Sequence, residues 1–141
     1  PLLQKEALTF VQTLLGRDHH VVIETSGTLE LDDYHALEPR ENLCLSVDIK
    51  CPSSEMHDEN KLEELERLTE HDQVKAVIAD EDDYAYATDV LANHEIPCPV
   101  IFQPVWGSNE TWLAERVLED GLDVRFSAQL HKLLWGQKPG V

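Results

Sequence analysis

The chain has 141 residues, 42% of them hydrophobic, enough for one domain with its own core and too few to expect two. Its 11 basic and 28 acidic residues give a formal charge of −17, which repels phosphate backbones and anionic bilayers and so excludes nucleic-acid binding through a basic surface. Three cysteines, Cys44, Cys51 and Cys98, and no apolar run near the roughly 18 residues of a membrane span predict a cytoplasmic protein with reduced thiols.

From Leu2 to Leu15 apolar residues recur at helical spacing, and Gly16 is placed to stop the helix. The run HVVIET predicts a buried strand closed by Ser26-Gly27, and LCLSVDI repeats the pattern before Cys51-Pro52 breaks it. Leu62, Leu65 and Leu68 predict a helix over 60–69, followed by the strand QVKAVIA. Tyr84 to Ala92 has helical character, CPVIFQPVW is a strand, and Thr111 to Leu118 is an amphipathic helix ended by Asp120-Gly121. The last strand is expected at DVRFSAQL. Strands separated by helices predict the α/β class, with parallel strands in an open or partly closed barrel and the whole of 1–141 as one domain.

In such folds ligands meet the carboxyl ends of the strands. The polar residues gather there: Glu24 to Gly27, Asp48 with Lys50 and Ser53-Ser54, Asp80 to Asp83, Gln103-Pro104 with Trp106, then Gln129, His131 and Lys132. Alternation puts Ser46, Asp48 and Lys50 on one face of their strand, where two opposite charges are either a structural ion pair or partners for a ligand's own charges. Gly27 lets backbone N–H groups approach a ligand. The acidic run Asp80 to Asp83 precedes a helix and is read as a cap rather than as a cation site. Cys44 and Cys51 have no usual metal-ligand spacing and are read as structural. Of the seven histidines only His131 stands in a context that suggests chemistry. Lysine is scarce, and three of the six, Lys50, Lys75 and Lys132, lie in or beside apolar runs, which suggests that each has a task. The excess of acid on exposed faces suits a salt-rich cytoplasm, where a short Debye length screens self-repulsion.

The segments ETSGT, SVDIKCPSS, VKAVI, FQPVWG and RFSAQLHKLLWG, in this order and spacing, resemble the 7-carboxy-7-deazaguanine synthases of the radical S-adenosylmethionine superfamily, especially the archaeal type. The resemblance covers the whole chain, with Pro1 standing as the proline of the family's G-G-E-P-L motif. It implies the carboxyl-terminal part of a (β/α)6 barrel whose first strands are missing. It also implies conversion of 6-carboxy-5,6,7,8-tetrahydropterin to 7-carboxy-7-deazaguanine with loss of ammonia, toward queuosine or archaeosine, in a homodimer. A [4Fe-4S] cluster would cleave S-adenosylmethionine to a radical, and Mg²⁺ would assist the ring contraction.

By position, Gly27, Ser46, Asp48, Lys50, Gln103, Pro104, Val105 and Trp106 would line the S-adenosylmethionine site. Thr25, His131 and the carboxylate of Val141 would touch the pterin, with His131 as the catalytic candidate. The family's three cluster cysteines stand upstream of G-G-E-P, and none of Cys44, Cys51 or Cys98 replaces them. The ligands of the cluster and of Mg²⁺ are therefore expected outside this chain, which alone should be inactive. Two other readings are another radical S-adenosylmethionine protein, such as an activating enzyme, and a non-catalytic acidic α/β binding module. The segment Gln129 to Gly136 speaks against the first.

Overall fold

A computed structural model describes residues 2–136 and residue 138. Helix α1 (Ala7–Leu15) leads into strand β1 (Val21–Thr25), short helix α2 (Asp32–His35) and strand β2 (Leu43–Ile49). Strand β3 (Gln73–Ile78), helix α3 (Glu81–Asn93), strand β4 (Val100–Pro104), helix α4 (Glu110–Glu119), strand β5 (Arg125–Phe126) and helix α5 (Leu130–Trp135) complete the order. The five strands form one sheet in the order β1-β2-β3-β4-β5, and every pair is parallel.

That order decides where the ligand face lies. Parallel strands joined in sequence by crossovers of one hand receive all their helices on the same face, as in a barrel, whereas a doubly wound sheet reverses its order and receives them on both. The buried residues obey the first pattern. Leu43, Leu45, Val47 and Ile49 of β2 alternate with Cys44, Ser46 and Asp48. Together with Val74, Ala76 and Ile78 of β3 and Val100 and Phe102 of β4, they share one core with Val11 and Leu15 of α1, Ala87 and Val90 of α3, and Leu113 and Val117 of α4. Burying a side chain such as Phe102 there contributes about 1.5–3 kcal/mol. The result is an open α/β sheet, helix-covered on one side, consistent with part of a barrel.

The loops at the carboxyl ends of the strands are tied down by carboxylates, the exposed Asp80 and the buried Asp83. Asp80 caps α3, accepting from the N–H groups of Asp82 and Asp83 at 3.1 Å, the role expected of the acidic run. Asp83, 1% exposed, accepts from the N–H of Ser53 at 2.8 Å and of Ala79 at 2.9 Å, fastening the loop after β2 to the loop after β3. At the opposite end of the sheet Asp72 accepts from the N–H of Leu45 and of Thr69 and from the Arg40 guanidinium.

Three expectations need correction. The first helix begins at Ala7, with only turns before it, because Leu3 is 86% exposed and no burial rewards an earlier start. Residues 60–69 form a short 3-10 helix, Leu62–Arg67, rather than a full α-helix. The final strand is two residues long, pairing Arg125 with Ile101 and Phe126 with Phe102. After Ser127 donates to Phe102 O the chain turns into α5, where Leu130, Leu133 and Leu134 recur at helical spacing. Gln129 and His131 therefore begin a helix and do not end a strand.

Candidate functional site

Because the helices take one face of the sheet, the other carries the side chains of opposite parity: Ser46 and Asp48 of β2, Gln73 and Lys75 of β3, Gln103 of β4. Parallel register sets Ser46 against Gln73 and Asp48 against Lys75. Gln73 Nε2 donates to Ser46 Oγ at 3.0 Å. Asp48 lies between two ammoniums: Lys50 Nζ donates to its Oδ2 at 3.0 Å, and Lys75 Nζ pairs with its Oδ1 at 3.2 Å. All three side chains are only 21–29% exposed. Two ammoniums against one carboxylate leave the triad itself one charge positive in a protein whose formal charge is −17, with the exposed Glu24 of β1 on the same face opposite Ser46.

The backbone around the triad is fixed on two sides. Asn60 Oδ1 accepts from Lys50 N at 3.0 Å, and Asn60 Nδ2 donates to Lys50 O at 2.9 Å and to the Tyr86 hydroxyl. Gly27 has φ +73°, and a Cβ there would stand 2.3 Å from Asp48 O, so the turn after β1 presses directly on β2. Its carbonyl accepts from Lys61 N at 2.8 Å, which joins that turn to the loop carrying Asn60. Gly27, Ser46, Asp48 and Lys50 are thus brought together at adjoining strand ends, with Gln103 on the same face two strands away.

Other residues named from the sequence are placed differently. Thr25 has the parity of the core residues Ile23 and Val47 and is buried, so it sits under the end of β1 and not on the polar face. Pro104 is likewise buried on the core side, while Val105 and Trp106 continue into a turn in which Ser108 Oγ donates to Val105 O. Lys132 of α5 places its ammonium 5.9 Å from the Trp106 ring centroid, a cation–π contact that links α5 to the loop after β4. His131 is exposed on α5. Pro1 and Val141 lie outside the described residues.

The sequence reading leaves Lys75 and Gln73 out of the ligand set. Lys75 carried a signal, as an isolated lysine within VKAVI. Its partner is 27 residues away, and only the register supplies it.

The thiols suit packing. Burial pushes Cys51 and Cys98 up to about 12, assisted by Asp83 and Asp72 respectively, and burial raises Cys44 as well. Among the described residues no three His, Cys, Asp or Glu side chains gather as a metal site. A cleft of about 950 Å³ lies at the β1 edge of the sheet that carries the charged triad. It runs along the outer edge of β1 against α1, lined mainly by apolar residues such as Leu2, Phe10, Val11 and Val22. No helix among the described residues is long and apolar enough to cross a membrane.

Comparison with known proteins matches the sequence of this chain to proteins of one name. A 7-carboxy-7-deazaguanine synthase of Thermoplasma acidophilum is 32% identical over 141 residues, covering 100% of this chain and 66% of the relative. Proteins of the same name from Koribacter versatilis (36% over 152 residues) and Chlorobaculum tepidum (38% over 145 residues) each align with 96% of this chain and with 65% and 62% of their own lengths. The chain is homologous to the 7-carboxy-7-deazaguanine synthases. It spans 62–66% of the length of these three deazaguanine synthases. No protein-family model and no solved structure matches it.

Proposed function

We propose that this chain belongs to a radical S-adenosylmethionine lyase that converts 6-carboxy-5,6,7,8-tetrahydropterin to 7-carboxy-7-deazaguanine with loss of ammonia, in the cytoplasm, on the way to a 7-deazapurine of tRNA. The observation that carries the reading is the polar face at the ends of β1 and β2, where a charged triad and a close-packed glycine turn meet. Homology to proteins named for this reaction supports it along the whole chain.

S-adenosylmethionine fits the residues present. Its amino-acid end offers an ammonium and a carboxylate to Asp48 and Lys50, Ser46 and Gln103 offer hydrogen bonds, and the space beside Gly27 lets backbone approach the ligand. Val105 and Trp106 belong to the same site through the loop after β4, and His131 and Val141 to the pterin, while Thr25 and Pro104, buried on the core side, support the ends of β1 and β4 beneath the ligands. A [4Fe-4S] cluster does not fit these residues. Cluster ligation needs thiolates, and burial holds all three cysteines as thiols, Cys44 and Cys98 beside Asp72 and Cys51 apart from them beside Asp83. The described residues gather no acidic or histidine ligands for Mg²⁺ either. The chain's own part is to bind and orient the two organic molecules, and by itself it is inactive. The open edge of β1, with Phe10 and Val22 more than half exposed beside it, suits pairing with further strands of the barrel. The complete enzyme is a homodimer from a salt-rich cytoplasm.

The test joins this chain to the first third of the Thermoplasma acidophilum relative and assays the product after anaerobic loading. Product is expected from the fusion. Losing one hydrogen bond to a charged or polar ligand group costs roughly 1.5–3 kcal/mol, so His131→Ala should lower turnover about tenfold or more with an unchanged melting temperature. His71→Ala, an exposed change, should alter neither. Equal effects of the two substitutions reject the role of His131, and absence of product from a folded, loaded fusion rejects the reaction.

A further inference from the structure

The Lys50 main chain is held at both its N–H and its carbonyl by the Asn60 side chain, so the backbone position of this strand end is settled. The direction of its ammonium is not. Among the described residues its one acceptor is Asp48 Oδ2, and a carboxylate held by a single partner rotates about its last torsion. The other oxygen, Oδ1, faces Lys75 Nζ at 3.2 Å from the next strand, in the position directly across the ladder. Two ammoniums on opposite oxygens fix the plane of the carboxylate. Each of the three side chains is more than two-thirds buried, so water competes poorly for these contacts.

We propose that Lys75 is a positioning residue of the ligand face: it orients the Asp48 carboxylate, and through it the Lys50 ammonium, toward the ligand. The proposal rests on the reading that this face binds S-adenosylmethionine, and it explains why one of only six lysines stands in the middle of a largely apolar strand. Lys75 points across the strand pair at Asp48 and touches the ligand only through the other two. A lysine kept merely for packing would be replaceable by methionine, which has nearly the same shape.

The experiment uses the chain as it is. Lysine side-chain ammonium signals are recorded by ¹⁵N–¹H correlation for the parent, Lys75→Met, Lys75→Arg and Asp48→Asn, with thermal melts to show that each is folded. S-adenosylmethionine is then titrated into each by calorimetry. The Lys50 signal is expected to be sharp in the parent, to broaden or vanish in Lys75→Met and Asp48→Asn, and to persist in Lys75→Arg. The dissociation constant should rise about fivefold or more in Lys75→Met and return to within about twofold in Lys75→Arg. A Lys50 signal that stays unchanged or sharpens in a folded Lys75→Met overturns the positioning role. Should Lys75→Met not fold, Lys75→Gln takes its place under the same criteria. No S-adenosylmethionine binding by the parent counts against the ligand reading, while the lysine signals still decide the part played by Lys75.

Discussion

Replacing Gly27 by alanine tests the close approach of the β1 turn to β2. At φ +73° an L-residue pays about 1–2 kcal/mol for the left-handed conformation. The new Cβ would also stand 2.3 Å from Asp48 O and 3.3 Å from Val47 Cγ1. Asp48 O is backbone of a paired strand and cannot swing aside as a side-chain tip would, so overpacking adds roughly 1–3 kcal/mol. The whole effect of Gly27→Ala is therefore about 2–5 kcal/mol. Gly121 separates the two contributions: it has φ +61°, nothing lies within 4 Å of its missing Cβ, and Gly121→Ala carries the conformational cost alone. With a denaturant slope of roughly 2 kcal/mol per M in urea, the unfolding midpoint should fall by about 1–2.5 M for Gly27→Ala and by no more than about 1 M for Gly121→Ala. The amide resonances of Asp48 and Lys50 should move in the first variant only. Equal midpoints in the two variants would refute the contact, and Gly27 would then be an ordinary turn residue with no claim to shape the ligand face.

Two further outcomes follow from charge. Burial opposes ionisation of Asp72, but hydrogen bonds from Arg40, Leu45 and Thr69 outweigh it and hold the carboxyl below the ordinary 3.8, so Asp72→Asn should cost about 3 kcal/mol at pH 7. By linkage that difference is fully present above pH 3.8 and closes as pH falls through the lower folded value; urea melts at pH 7 and 3 check it, and an equal gap at both refutes it. At a formal charge of −17 like-charge repulsion outweighs local pairing, so the melting temperature should rise from dilute buffer to molar KCl, and a flat or falling series would reject the salt-rich origin.

The parts of the fold legible in the sequence are those in which burial is continuous. VVIET, LCLSVDI and QVKAVI each pay for backbone ordering with apolar area on the core side, and their strands were placed to within a residue or two. Where burial is partial, periodicity misled. Leu62, Leu65 and Leu68 recur at intervals of three, which a 3-10 turn satisfies as well as an α-helix does. In RFSAQLHKLLWG the strand-forming residues come first and the helical spacing second, and only two of them find partners on β4.

The ligand face shows a sharper limit. Alternation within one strand correctly put Ser46 and Asp48 on the same side, because parity is local and needs no partner. Parity also assigns Thr25 to the core side, yet the motif at the end of β1 drew attention to its hydroxyl and away from its position in the strand. Contact between strands is a different kind of information. A shift of one residue in the β2–β3 register would put Asp48 opposite Val74 or Ala76 and send Lys75 to the side of the core, at a cost of several kcal/mol for burying an unpaired ammonium. The present register avoids that cost by setting the one lysine of β3 against the one carboxylate of β2. The charge pair is thus part of what selects the register, which is why residue types could nominate Asp48 and Lys50 while Lys75 became part of the site only with the folded sheet.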